Sequence, residues 1–203
     1  MPIRSHHLML AVAFVLPTAA LAGAAPGTTT HAPAYTADGK LVLPADYREW
    51  VFLSAGLGMS YSPKAPEGEP AFDNTFVDPQ SYREFVRTGT WPDKTQIVLE
   101  VRGSSSKGSI NQHGHYQSGG VQDIEVHVKD AARFKGGWAF FGFDGDTSAE
   151  QIPESAACYG CHAAHGAVDT TFVQFYPTLL PIAQLHATLS AAYLQETAER
   201  LIK

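Results

Sequence analysis

QIVLEV (residues 96–101), VQDIEVHV (121–128) and WAFFGF (138–143) are the stretches that decide the fold. Each is rich in β-branched or aromatic residues and is bounded by Gly, Ser or Asp, the composition of a strand. Working outward, WVFL (50–53) and TFV (75–77) read as two further strands, separated by a Gly/Pro-rich loop over 62–70. Asp78-Pro79 opens a helix, because Asp accepts hydrogen bonds from first-turn amides and Pro at the first helical position loses no needed donor. Tyr82, Phe85 and Val86 give that helix an apolar face, and Gly89 with Pro92 ends it. GSSSKGSINQHGHYQSGG (103–120) is too polar for a strand and predicts a long hairpin connection. A brief helical turn is expected at Asp130–Phe134. Leu185, Leu189, Ala192 and Tyr193 recur at helical spacing and predict a last helix from Ile182 to Leu201. Five strands with interleaved helices, and no regular βαβ rhythm, predict a single α+β domain with a mainly antiparallel sheet. Phe76, Val98, Val126, Phe140 and Phe172 are expected to be buried.

Charge and composition narrow the function. The 203 residues carry 14 Lys+Arg against 20 Asp+Glu, a formal charge of -6, which leaves no basic surface for a phosphate backbone and excludes nucleic acid as a partner. Residues 1–22 combine Arg4, an apolar run from Leu8 to Leu16 and Ala20-Leu21-Ala22, the architecture of a cleaved secretory signal peptide. Pro17 and Thr18 break that run at roughly half the ~20 residues a membrane span needs. The expectation is a periplasmic protein, cleaved near Ala22 and without a membrane anchor. Residues 23–39, small and Pro-containing, read as a flexible leader to a domain over 40–203.

Both cysteines of the chain lie in Cys158-Tyr159-Gly160-Cys161-His162. C-x-x-C-H is the spacing of covalent haem attachment: two thiols one helical turn apart add to the porphyrin's vinyl groups, and the adjacent His ligates iron. Export agrees, since haem c is attached outside the cytoplasm. Three alternatives compete. A structural disulfide needs an oxidising compartment, a thioredoxin-like pair needs a βαβ context that is missing, and a zinc site needs four ligands, of which His165 would be a third. On the haem reading His162 is the axial ligand, and Met59 is the candidate sixth ligand because it is the one methionine left after signal cleavage.

The chain also resembles the cytochrome P-460 family, which includes the cytochrome c prime beta proteins. LPADYREW (43–50), VDPQSY (77–82), WAFF (138–141), the C-x-x-C-H motif and FVQFYP (172–177) follow in that family's order, over about residues 40–180. The resemblance implies a β-rich α+β fold, usually a homodimer, with one covalent haem c held against the sheet by a proximal histidine. The family's hydroxylamine-oxidising members cross-link a lysine to the haem, and the position that looks like that lysine is Leu99. A leucine forms no such bond, so the chain is similar to the branch without the cross-link, which is associated with binding nitric oxide.

Two readings from different classes result, with a third beside them. The first is a binding protein whose distal pocket, lined by Leu99 with Phe72 and Phe76, admits a small neutral ligand such as nitric oxide. The second is a redox enzyme acting on hydroxylamine or peroxide, with His113, His115 or Glu154 as proton acceptor. The third is an electron carrier with Met59 or a histidine as sixth ligand on iron, exchanging electrons with a soluble redox partner.

Overall fold

A computed structural model of the chain describes residues 31–61, 64 and 67–201; the expected signal peptide lies outside them. Its elements are β1 (Leu41–Val42), β2 (Val51–Leu57), β3 (Phe72–Val77), α1 (Pro79–Thr88), β4 (Gln96–Ser105), β5 (Tyr116–Lys129), β6 (Trp138–Gly142), β7 (Ser148–Ala149), α2 (Ala157–His165), α3 (Leu180–Leu185) and α4 (Ala191–Leu201). Strands β2 to β6 form one five-stranded sheet in chain order, every neighbour antiparallel, and β1 pairs with β7 in a small second sheet. This is the α+β, antiparallel architecture with flanking helices that the sequence predicts. Among the described residues no helix is long and apolar enough to cross a membrane.

Period-two alternation gives the sheet two apolar faces, each with its own core. On one side Val77, Ile97 and Trp138 pack with Phe85, Trp91, Val173, Leu179 and Ala183 from the helices and the segments joining them. On the other, Val98, Val126, Val128, Ala139 and Phe141 pack under Leu41, Tyr47, Trp50 and Phe134. Burying both faces explains why strands β4 and β6 read as near-continuous apolar runs. The second core also holds a charge cluster. Glu100, 3% exposed, accepts from the Tyr47 hydroxyl, from Arg48 Nε at 2.9 Å and Nη2 at 2.6 Å, and from Arg102 Nε.

Helix α1 begins and ends where its sequence dictates. The Asp78 side chain accepts from Ser81 N at 2.8 Å, Pro79 occupies the first turn, and Gly89 closes the helix at φ 73°, a conformation open to glycine at no steric cost.

Four expectations need correction. The C-terminal helix is two helices: Ala187 takes a positive φ of 55° after α3, and the Ser190 hydroxyl accepts from Tyr193 N at 3.1 Å to start α4 afresh. The β4–β5 connection is shorter than 103–120, because both strands run on past the core, pairing Ser104 with Gln117 and Ser105 with Tyr116 beyond bulges around Arg102. Hydrogen bonding between backbones sustains this polar extension without an apolar face. Residues 31–39 of the supposed leader are seated on the domain: Val42 N donates to Ala34 O, Gln96 Nε2 to His31 O, and Arg133 lies over the Tyr35 ring. Finally, Val98, Val126 and Phe140 are buried as expected, but Phe76 and Phe172 are only partly so.

Candidate functional site

Antiparallel register sets rows of side chains on the helix-facing side of the sheet. Val51, Val77, Ile97, His127 and Phe140 form one row; Ser54, Thr75, Leu99 and Glu125 form the next; Gly56 and Asp73 lie beyond. Facing them are His162 of α2 and Phe172, Phe175 and Tyr176 from the segment that follows. Between the two walls is a cavity of about 330 Å³, with Met59 and Tyr61 of the β2–β3 loop completing it. Gly56 makes room for Met59: a Cβ there would stand 2.5 Å from Met59 Sδ.

Helix α2 carries the motif. Cys158 and Cys161 are both free and partly exposed, one turn apart. Tyr159, between them in sequence, ties α2 to the edge of the sheet by donating to Ile152 O at 3.0 Å and accepting from Phe140 N at 3.4 Å. His162 Nδ1 lies 2.7 Å from Thr170 O. A carbonyl only accepts, so Nδ1 carries the proton and Nε2 keeps its lone pair. Burial holds the His162 imidazole below the usual histidine range, against the opposing pull of that hydrogen bond. Its ring is boxed by Phe172 at 4.2 Å, Phe140 at 4.6 Å and His127 at 5.2 Å between centroids.

These residues fit a tethered haem. Two unpaired thiols stand one turn apart beside a histidine with its outer nitrogen free, next to a cavity walled largely by apolar side chains. Among the described residues no group of three or more His, Cys, Asp or Glu side chains is gathered to hold a bare metal ion. A porphyrin asks for less, since its own four nitrogens hold the iron and the protein supplies only axial ligands.

The other expected site residues divide sharply. Leu99 and Met59 line the same cavity as His162, and Glu100 turns away from it into the second core. Phe72 and Phe76 do not line it. On β3 the residues that do are Asp73 and Thr75, so alternation sends Phe72 and Phe76 to the opposite face, where Phe76 meets Tyr47 and Phe52 edge-on. The proposed bases are elsewhere too: His113 and Glu154 are exposed, and His115 Nε2 pairs with Glu69 at 2.9 Å.

Among the polar residues at the cavity that sequence reasoning misses, Asp73, Glu125 and His127 matter most. Asp73 and Glu125 open onto it from β3 and β5, so the pocket is not wholly apolar. Although Glu125 stays exposed, partial loss of hydration raises both carboxyls above their usual range, and Asp123 and Asp73 push Glu125 further the same way. His127 stacks on Phe140 at 4.0 Å and 12°, and burial first, then the neighbouring His162, hold it well below the usual histidine range. The signal that finds all three is register: each is cross-strand from, or in phase with, Ile97 and Leu99.

Fold and site together define a class: a C-x-x-C-H protein built around an antiparallel sheet, unlike the small helical carriers that share the motif. The cytochrome P460 family model matches residues 44–173, and the chain belongs to the cytochrome P460 family. That membership is consistent with a haem c cofactor. No protein of curated function matches the chain.

Proposed function

We propose that the chain is an exported mono-haem c-type cytochrome in which Cys158 and Cys161 carry the haem, His162 is its proximal ligand, and a small neutral ligand such as nitric oxide is taken up toward Leu99. The observation that carries this is the placing of His162, the histidine of C-x-x-C-H, on one wall of a 330 Å³ cavity whose facing wall includes Leu99. Haem, when bound, supplies an axial position for a diatomic ligand. The chain's own residues do the rest. Thr170 fixes the imidazole tautomer, Phe140 and Phe172 keep water from its ring, and Leu99 offers neither a covalent bond nor a proton. The test is the absorption and magnetic spectrum of the purified holoprotein before and after nitric oxide. An ordinary c-type spectrum that changes on adding the gas supports the reading. A low-spin, methionine-ligated spectrum that the gas leaves unaltered overturns it and gives the sixth position to Met59.

Leu99 also predicts a rate. Its bulk narrows the approach to the axial position, so Leu99→Ala is expected to raise the association rate of nitric oxide with the reduced protein about tenfold, equivalent to ~1.4 kcal/mol off the barrier. Stopped-flow measurement of both proteins decides it, and equal rates would remove Leu99 from the pocket.

The carboxyls at the cavity favour one second reading, a redox enzyme oxidising hydroxylamine or using peroxide. Such chemistry needs a proton acceptor beside the reacting atoms, and Glu125 and Asp73 face the cavity where His113, His115 and Glu154 do not. On this reading Glu125 is the base. Because its folded pKa is raised, the active, ionised form accumulates only as pH climbs past the ordinary glutamate range. Glu125→Gln is expected to lower kcat/KM about 10²-fold or more and to erase that rising limb. Turnover that is absent in the parent, or unchanged in the variant, returns the site to ligand binding.

A further inference from the structure

The hydrogen bond from His162 Nδ1 to Thr170 O joins α2 to a segment only a few residues further on. For the chain to return so soon, residues 167–171 must fold tightly over the end of the helix. They do so through a small loop in which Thr171 N donates to Val168 O at 2.9 Å and Asp169 takes a φ of 52°. Gly166 stands at the crossing. Its N donates to His162 O at 2.9 Å. A Cβ on it would lie 2.8 Å from His162 O, 2.9 Å from Thr170 C and 2.9 Å from Thr171 N, all of them backbone atoms. Gly166 has φ -64° and ψ 127°, values any residue adopts, so glycine is required here by contact and not by backbone conformation.

Relief by a small shift is obstructed from two sides. Ser190 Oγ donates to Gly166 O at 2.7 Å and Ser190 N to Ala167 O at 2.8 Å, while Gln174 Oε1 accepts from Ala167 N at 3.0 Å. A methyl at residue 166 therefore pushes apart the two backbones that the His162–Thr170 hydrogen bond spans.

We propose that Gly166 is a positioning residue for the axial ligand. By letting the 167–171 loop close on α2 it holds Thr170 O against His162 Nδ1, and so sets how strongly His162 donates electrons to iron. This rests on the reading of His162 as the haem ligand. A carbonyl drawing on Nδ1–H makes the imidazole more basic and favours the oxidised iron. Lengthening that bond weakens the donation.

The test compares Gly166→Ala with the parent holoprotein and with Gly120→Ala on β5, outside the motif and the cavity, whose added methyl meets nothing within 4 Å. Two quantities are read: the iron–histidine stretching band of the reduced protein by resonance Raman, and the midpoint potential. In Gly166→Ala the band is expected to fall in frequency and the potential to rise, with haem content and far-ultraviolet circular dichroism as in the parent; Gly120→Ala leaves both quantities unmoved. If Gly166→Ala does not accumulate with haem, Thr171→Val reads the same loop from its other end. It removes the hydroxyl that accepts from Trp91 Nε1 at 2.8 Å and donates to Val168 O at 2.7 Å, and it must move both quantities in the same directions by less. Unchanged quantities in a folded, haem-bearing Gly166→Ala, or in Thr171→Val when that variant stands in, overturn the proposal alone. A parent without a histidine band takes the haem reading down with it.

Discussion

Protein carrying Cys158→Ser and Cys161→Ser together, matured in a host competent for haem c attachment, is expected to have no covalent haem at all. The parent's intact mass should exceed that of the polypeptide by one haem, and the double variant should show the polypeptide mass only. The reason is chemical: a thioether needs a thiol, a serine hydroxyl does not add to a vinyl group under these conditions, and the chain has no third cysteine to substitute. His162→Ala separates tether from ligand. It should keep the added mass while changing the spin and coordination of the iron. An unmodified parent mass with a Cys158–Cys161 disulfide would refute the attachment.

The second large effect is on stability, on the opposite side of the sheet. Glu100→Ala is expected to cost about 3–5 kcal/mol, the range for removing one partner of a buried ion pair. It belongs at the lower end of that range because the Arg48 side chain, 53% exposed, can regain water. The Tyr47 hydroxyl, on a residue only 2% exposed, cannot, and loses its acceptor. Against a typical total of 5–15 kcal/mol this is a large share, and urea denaturation would measure it. A pH dependence follows. Burial alone would raise the Glu100 carboxyl, but hydrogen bonds from Arg102, Tyr47 and Arg48 outweigh it and hold the group below its usual range. The unfolded chain therefore binds this proton more readily. The stabilisation is fully present above the ordinary glutamate pKa and is lost as pH falls through the lower, folded value. Glu100→Gln should flatten that acid limb. A variant with parent-like stability would mean that the cluster is solvated in solution.

How much of this was legible in the sequence depends on what each residue answers to. Strands β4 and β6 are readable because β-branched and aromatic runs reflect burial on both faces, a property of the residues themselves. The phase of a strand is different. Nothing within FDNTFV says whether Phe72 and Phe76 or Asp73 and Thr75 face the cavity, since that depends on pairing with β4, and apolarity alone points to the wrong set. Glu125 and His127 are hidden for the same reason: a lone carboxylate and a lone histidine in VQDIEVHV look like surface punctuation until Leu99 and Ile97 are found opposite them. At position 99 the family resemblance supplies the phase that the strand itself does not. The break after α3 was hidden because apolar spacing continues across it, and the positive φ of Ala187 leaves no compositional mark. His162's partner was invisible since it is a backbone carbonyl, which has no letter in the sequence.

The alternation along β4 also bears on how such a protein changes over generations. Val98 and Glu100 are anchored in one core while Leu99, between them, looks into the cavity. Mutations in three adjacent codons thus meet unequal selection: the outer two are judged by whether the chain folds, the middle one by what the pocket does. A substitution at 99 alters the lining of the cavity, while its neighbours hold the strand in register. Chemistry and architecture are inherited separately at intervals of a single residue.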